Sequence, residues 1–413
     1  MKIGIYFSSG KRSGGVYQYS LTFLKALLEI PGNEYIVFSS PKSIPDYIRK
    51  SRAFEIVNTP IKTYGFTSKT INGTSYLLTY LATRLRAFSI LNIFSSFFQR
   101  KNIKFIDDQH LDLIFYPTSS NLSFLSKTPS VVAVHDLMHK AHPEFRELSA
   151  VGRWESREFV YRNISKYAYR ILVDSKVGKE DVINYYKTNK NKIVILHFLP
   201  PPYLNNKIRR REAGKICRSL GLPGKFIFYP ARFWPHKNHL NLVKAVDILK
   251  KKGISVNLIL TGSKDADYSS YDCVFSFVKE HDLGKQIFYL GYVDNREISA
   301  IYKTASAMVM PTFLGPTNIP VLEAWSMGTP VIYSNIRGCR EQLGNAGLLI
   351  NPYSPRDIAD KIEKIYTHPK LAMELVRKGK IKIKQWTFKD FTRRIKEIID
   401  IYEKEKGLIS KDN

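Results

Sequence analysis

Apolar residues along this chain fall in short unbroken runs, each followed by a polar or Gly/Pro-containing loop. Then comes a stretch in which apolar positions recur every three or four residues. In the first half the runs cover residues 2–7, 35–39, 113–116, 130–135 and 170–174, and helical spacing covers 16–29. In the second half they cover 225–229, 256–261, 287–290, 307–310 and 330–333, with a helix predicted over 240–249. Continuous apolar strands alternating with amphipathic helices predict α/β domains built on parallel sheets covered on both faces. The tail, 386–406, is charged, amphipathic and helical in pattern.

The rhythm breaks at Leu199-Pro200-Pro201-Pro202, a stiff non-helical connector, and resumes after a basic helix predicted at 207–220. With 413 residues, the chain exceeds one ordinary core. The reading is therefore two doubly wound, Rossmann-like domains, 1–200 and 201–385, with a C-terminal helix in 386–413 packing back toward the first. Such sheets bind ligands beyond the carboxyl ends of their strands, so the two domains are expected to face a cleft. Residues 64–108 depart from the rhythm. Leu77, Leu81, Leu85, Phe88, Leu91, Phe94 and Phe98 recur at helical spacing. Packing on the sheet is the preferred reading; docking of an apolar face flanked by Arg84 and Arg86 on a membrane is the alternative.

Composition narrows the partners. The formal net charge of +28 suits nucleic acid, an anionic membrane surface or phosphorylated substrates. No zinc-finger, RNA-recognition or basic-zipper pattern accompanies it, so nucleic acid is not an expected partner. Cys217, Cys273 and Cys339 are scattered and lack metal-ligand spacing, which argues for a reducing compartment. The first residues run straight into a strand without the features of a signal peptide. The apolar stretch 77–98 contains Arg84 and Arg86 and is poor as a membrane span. The expected location is cytoplasmic, with peripheral attachment to the inner face of the plasma membrane as the extension that the charge suggests.

Candidate chemistry gathers in the second half. Arg232 and Lys237 follow the run at 225–229 and precede the helix at 240–249. That places two permanent cations at a strand's exit beside a helix N-terminus, an arrangement suited to a diphosphate. About ninety residues on, Gly315-Pro316-Thr317-Asn318-Ile319 leads into a helix carrying Glu323, and a carboxylate is a natural acceptor for a vicinal diol. In the first half, Gly14-Gly15 follows the first strand and His135-Asp136 ends the strand at 130–135.

In order along the chain these pieces resemble the retaining glycosyltransferases of family 4, also called glycosyl transferases group 1, which have the GT-B architecture of two Rossmann-like domains. The pieces are Gly14-Gly15, His135-Asp136, Arg232 to Lys237-Asn238, Leu260-Thr261-Gly262, Gly291-Tyr292-Val293, Glu323-Ala324 and Gly328-Thr329-Pro330. The resemblance implies that Arg232 and Lys237 neutralise the donor diphosphate, Glu323 takes the ribose, and His135 lies against the donor sugar. It further implies that the backbone of Gly291, Tyr292 and Val293 reads the base and that Gly14 and Gly15 serve the donor phosphate or the acceptor. Asp136 holds its loop or touches the acceptor. The family's earlier glutamate, eight residues before Glu323, is replaced by Gly315. The neutral stretch from Gly315 to Ile319 is then expected to cradle phosphate or sugar oxygens.

The implied activity is transfer of a sugar, with retention, from a nucleoside-diphosphate sugar to a lipid- or glycan-linked acceptor in cell-surface polysaccharide synthesis. No metal and no cofactor beyond the sugar donor are expected. GDP-mannose is preferred by resemblance to mannosyltransferases, with UDP- and dTDP-sugars open. The alternatives are a non-catalytic nucleotide-sugar-binding protein of the same fold, motivated by Gly315, and a nucleic-acid-binding protein, motivated by charge alone.

Overall fold

The computed structural model describes residues 1–10, 14–40, 43–51, 53–58, 81, 85, 88–150, 152–205, 208–265 and 268–407. The chain divides into two compact units. Met1–His197 with Thr387–Asn413 form the first, and Phe198–Trp386 form the second.

The first unit is built on β1 (Lys2–Tyr6), β2 (Glu34–Ser39), β3 (Phe54–Asn58), β4 (Leu113–Tyr116), β5 (Ser130–Ala133), β6 (Arg170–Val173) and β7 (Ile193–Ile195). These form one seven-stranded sheet in the order β3-β2-β1-β4-β5-β6-β7. All neighbours pair in parallel. The second unit repeats the plan with β8 (Phe226–Pro230), β9 (Asn257–Thr261), β10 (Ile287–Tyr289), β11 (Ala307–Met310), β12 (Val331–Ser334) and β13 (Leu348–Ile350), in the order β10-β9-β8-β11-β12-β13. Both orders reverse direction beside the first strand of their unit. They are the doubly wound arrangement with a switch point between β1 and β4, and between β8 and β11. The fold class expected from the pattern is the one observed.

Three strands are absent from the sequence reading: β3, β7 and β13. Each lies at a sheet edge and runs three to five residues. An edge strand buries less side-chain area, so its sequence lacks the continuous apolar run that marks a central one. Phe-Glu-Ile-Val-Asn in β3 is an example, with Glu55 exposed between buried Phe54 and partly covered Ile56.

The helices that matter below are α1 (Gly15–Leu28), α2 (Phe88–Asp107), α3 (Arg153–Tyr167), α4 (His239–Lys251), α5 (Asn295–Thr304), α6 (Ile319–Met327) and α7 (Phe388–Glu405). The C-terminal helix α7 lies against α1 in the first unit. Phe391 meets Tyr19 and Phe23 edge-on at 6.1 and 6.2 Å, and Glu405 accepts hydrogen bonds from Tyr169 and Arg170. A fully buried aromatic such as Phe391 contributes about 2 kcal/mol relative to exposure.

The expectation that the apolar repeat in 64–108 packs on the sheet is corrected. Leu77 and the side chain of Phe88 lie outside the described residues. Leu81, Leu85, Phe94 and Phe98 are exposed, and among the described residues of the repeat only Leu91 is buried. The face of α2 that packs inward is a different one, with Leu91, Ser95 and Ile106 buried and Ile103 and Phe105 partly covered.

Candidate functional site

The second unit gathers its predicted residues at the switch point between β8 and β11. The loop after β8 is stitched to the exit of β9, with Ala231 N–H donating to Thr261 O (3.0 Å) and Phe233 N–H to Ser263 O (3.2 Å). This approach requires Gly262, where a Cβ would sit 2.5 Å from the carbonyl oxygen of Ala231. Gly262 N–H in turn donates to Gly291 O at 2.8 Å. The exits of β8, β9 and β10 are therefore one connected rim. Val293 is partly buried against the core, and Tyr292 stands 63 % exposed.

The rim also ties to the loop after β11. Asn238, in the left-handed region at φ 61°, donates from Nδ2 to Pro311 O (2.8 Å) and Pro352 O (2.7 Å). His236 O accepts from Phe313 N–H at 2.8 Å and from Thr312 Oγ1 at 3.1 Å. Phe233, fully buried and stacked on His239 at 4.2 Å, anchors the segment between them. On this frame Arg232 is exposed, its guanidinium 5.5 Å from the Trp234 ring centre. Lys237 is half-buried at the end of a single 3₁₀ turn, just before the N-terminus of α4.

Gly315 to Ile319 form the approach to α6. Gly315 has φ 94°, a region where a side chain is strained. Asn318 Nδ2 donates to its carbonyl at 2.7 Å, and the Tyr333 hydroxyl donates to the same oxygen. A Cβ at position 315 would lie 2.9 Å from Asn318 Nδ2. The place where a side chain at 315 would begin is thus held by the Asn318 amide, and Gly315 and Asn318 form a matched pair. Pro316 is buried, Thr317 is half-buried and Ile319 is buried as the first residue of α6. Gln342 brackets Asn318, accepting from its N–H and donating to its carbonyl, both at 2.9 Å. The N-terminus of α6 opens here, and its N–H groups favour negative charge.

Glu323, in the second turn of α6, is 7 % exposed. Oε1 accepts from the Tyr203 hydroxyl at 2.8 Å and Oε2 from the Tyr302 hydroxyl at 2.7 Å. Burial pushes its carboxyl above the usual range, and the two tyrosine bonds only partly offset this. Both phenols are driven up, first by burial and then by the adjacent charge, so they stay protonated donors. A carboxylate has about four acceptor directions, so two bonds leave capacity for a further hydroxyl. Tyr302 is fully buried on α5, whereas Tyr203 is partly exposed on a 3₁₀ turn at the start of the second unit and stands near Tyr292. Sequence reading missed Tyr203 and Tyr302; nothing local marks a tyrosine as the partner of a carboxylate 120 or 21 residues away.

The first unit holds the remaining predicted residues. His135 follows β5, and its Nε2–H donates to Pro117 O at 2.9 Å, the residue that follows β4. Its ring meets Tyr19 edge-on at 4.9 Å. Tyr19 sits on α1, whose N-terminus is formed by Gly14 and Gly15. The histidine and the glycine pair are therefore gathered around the β1/β4 switch point. Burial pulls the His135 imidazole below its usual range, against the pull of Pro117 and Asp136, so it is neutral at pH 7. Asp136 Oδ1 accepts from Met138 N–H (3.1 Å) and from Arg157 on α3 (3.3 Å). Burial would raise its carboxyl, but Arg157 and the Met138 bond outweigh that and hold it low. It braces the loop.

His139 is buried 3.7 Å from Glu158, and His142 bonds Glu144 at 2.9 Å. Among the described residues no group of three His, Cys, Asp or Glu side chains is placed to hold a metal.

Residues 218–382 match the family model for glycosyl transferases group 1 and form a domain of that type. The chain is 26 % identical over 360 residues to the O-antigen chain mannosyltransferase RfbU of Salmonella typhimurium, covering 87 % of this chain and 89 % of that one. It is 23 % identical over 264 residues to the glycosyltransferase MJ1607 of Methanocaldococcus jannaschii, an alignment spanning 62 % of this chain and 64 % of that one. Among solved structures, Anabaena HepE in complex with UDP and glucose superposes with a TM-score of 0.68 at 17 % identity, covering 97 % of this chain and 99 % of that one. The fold of both units is that of the GT-B glycosyltransferases.

Proposed function

We propose that this chain is a retaining glycosyltransferase that moves a sugar, with GDP-mannose the preferred donor, to a lipid- or glycan-linked acceptor in cell-surface polysaccharide synthesis. The observation that carries the reading is the convergence on one switch point of Arg232, Lys237, the N-terminus of α6 and a buried carboxylate, Glu323. In this reading the bond between the anomeric carbon and the β-phosphate oxygen breaks, and the acceptor hydroxyl bonds to that carbon. The acceptor proton passes to the leaving phosphate. Fixed cations and helix N–H groups stabilise the charge that grows on the nucleoside diphosphate without reorganising. Glu323 receives the ribose.

The mannosyltransferase relative supports the donor preference. A second reading, binding without transfer, rests on Gly315, where the Asn318 amide stands in place of a charged side chain.

The test is a thermal-shift screen of the full chain against GDP, UDP, dTDP, ADP and their sugars, repeated with Glu323→Ala. Binding to the folded state alone raises the melting temperature as ligand exceeds its dissociation constant. One nucleotide should shift the wild type and not the variant, and its sugar should then turn over with a polyprenyl-linked glycan. Binding without turnover would favour the second reading. No shift with any nucleotide would overturn both.

A further inference from the structure

The outward face of α2 is unlike the surface of an ordinary globular helix. Ile90, Ile93, Phe94, Phe97 and Phe98 are all exposed, Ile93 at 70 % and Phe97 at 72 %. Their spacing of three and four residues puts them on one stripe. Continuing that stripe toward the C-terminus come Lys101 and Lys104, with Arg100 at its flank, and all three are exposed. The helix carries one acidic residue, Asp107, at its last position, where it accepts from Ser126 Oγ and Lys127 N–H. The opposite face is committed to the unit, through buried Leu91 and Ile106 and the bond from Asn92 to Asn163 of α3. Solvent therefore meets an apolar half-stripe and a basic half-stripe in series on a helix anchored from behind.

We propose that this face docks on an anionic lipid surface, with the isoleucines and phenylalanines in the acyl boundary and Lys101, Lys104 and Arg100 on the phosphates. The chemistry is that of an interfacial helix: large aromatic and branched residues at one level, cations at the next. No described helix is long and apolar enough to cross a membrane, and α2 itself contains three cations, so it lies on the surface. The net charge of +28 supplies long-range attraction to the same surface. A second copy of the chain fits less well. Pairing two stripes in parallel sets the basic ends against each other, and pairing them antiparallel sets each basic end against the partner's apolar half. The proposal goes beyond the donor chemistry and does not depend on it.

The test is co-flotation of the full chain with vesicles of phosphatidylglycerol and phosphatidylcholine, and with phosphatidylcholine alone, using wild type, Ile93→Asp/Phe97→Asp and Lys101→Glu/Lys104→Glu. The wild type should bind the anionic vesicles and be partly released by salt. The apolar pair should lose at least tenfold in partitioning with an unchanged melting temperature. The basic pair should lose about fivefold or more per residue on anionic vesicles, since each surface-bound Lys contributes about 1 kcal/mol. Failure of the wild type to bind, or wild-type binding by both variants, would overturn the proposal. A fall of several degrees in the melting temperature of Ile93→Asp/Phe97→Asp would show that the face packs against the chain itself. A dimer that dissociates on that substitution would assign the face to a second copy. Either of these results would also overturn it.

Discussion

Substituting Gly315 by alanine tests the matched pair with Asn318. Two costs are expected. The backbone sits at φ 94°, and a residue with a Cβ held in such a region pays about 1–2 kcal/mol. The new Cβ would also lie 2.9 Å from Asn318 Nδ2, so the amide must swing away from Gly315 O and Tyr333 Oη, which it contacts at 2.7 and 2.6 Å. Losing those bonds in a half-buried site costs roughly 1 kcal/mol each. Gly315→Ala should therefore destabilise the second unit by about 3–4 kcal/mol in the wild type. In an Asn318→Ala background, where the amide is already gone, only the backbone cost of about 1–2 kcal/mol remains. The assay is urea unfolding of the full chain followed by tryptophan fluorescence. Three of the four tryptophans, Trp234, Trp325 and Trp386, lie in the second unit and report on it. A coupling of at least about 1 kcal/mol between the two positions is expected from the cycle. Equal costs in both backgrounds would refute the claim that Asn318 holds the space, and a stabilising Gly315→Ala would refute the backbone argument as well. Gly315→Glu carries the same two costs, so installing the carboxylate alone should not increase transfer.

Three further outcomes are expected. Tyr203→Phe removes a hydrogen bond that lowers the Glu323 pKa, so the already raised carboxyl should rise further. The acid limb of nucleotide binding, read as the pH dependence of the ligand-induced melting shift, should move to higher pH; an unmoved limb would remove Glu323 from the binding site. Arg232→Ala, at an exposed position, should leave stability within about 0.5 kcal/mol yet weaken diphosphate binding tenfold or more in calorimetry. Glu158 is buried, and although burial alone would raise its carboxyl, His139, Lys140 and Arg162 depress it from the ordinary 4.5 to about 2. That depression corresponds to about 3 kcal/mol. Because the folded value is the lower one, the contribution is complete above pH 4.5 and is lost as the pH falls toward 2. Glu158→Gln should thus cost about 3 kcal/mol at pH 7, with the gap to wild type narrowing below pH 4.5, and a pH-independent gap would contradict the assignment.

The alternation of apolar runs and helical repeats by itself determined two doubly wound parallel sheets. A central parallel strand is buried on both faces and must be written as an unbroken apolar run. It determined equally where loops leave the carboxyl ends of those strands, and hence which polar residues stand near a switch point. Tertiary structure decided what those residues touch. Glu323 receives Tyr203 and Tyr302, Asn238 pins two loops through the carbonyls of Pro311 and Pro352, and Asn318 occupies the space beside Gly315. The edge strands β3, β7 and β13 escaped notice because half-buried strands of three to five residues leave too short a pattern. The helical repeat that ends in α2 announced a helix but misassigned its face, since periodicity reports where apolar residues align and not what covers them. Periodicity is a local record of burial. Hydrogen-bond partners far apart in sequence leave no such record, and only the folded chain brings them together.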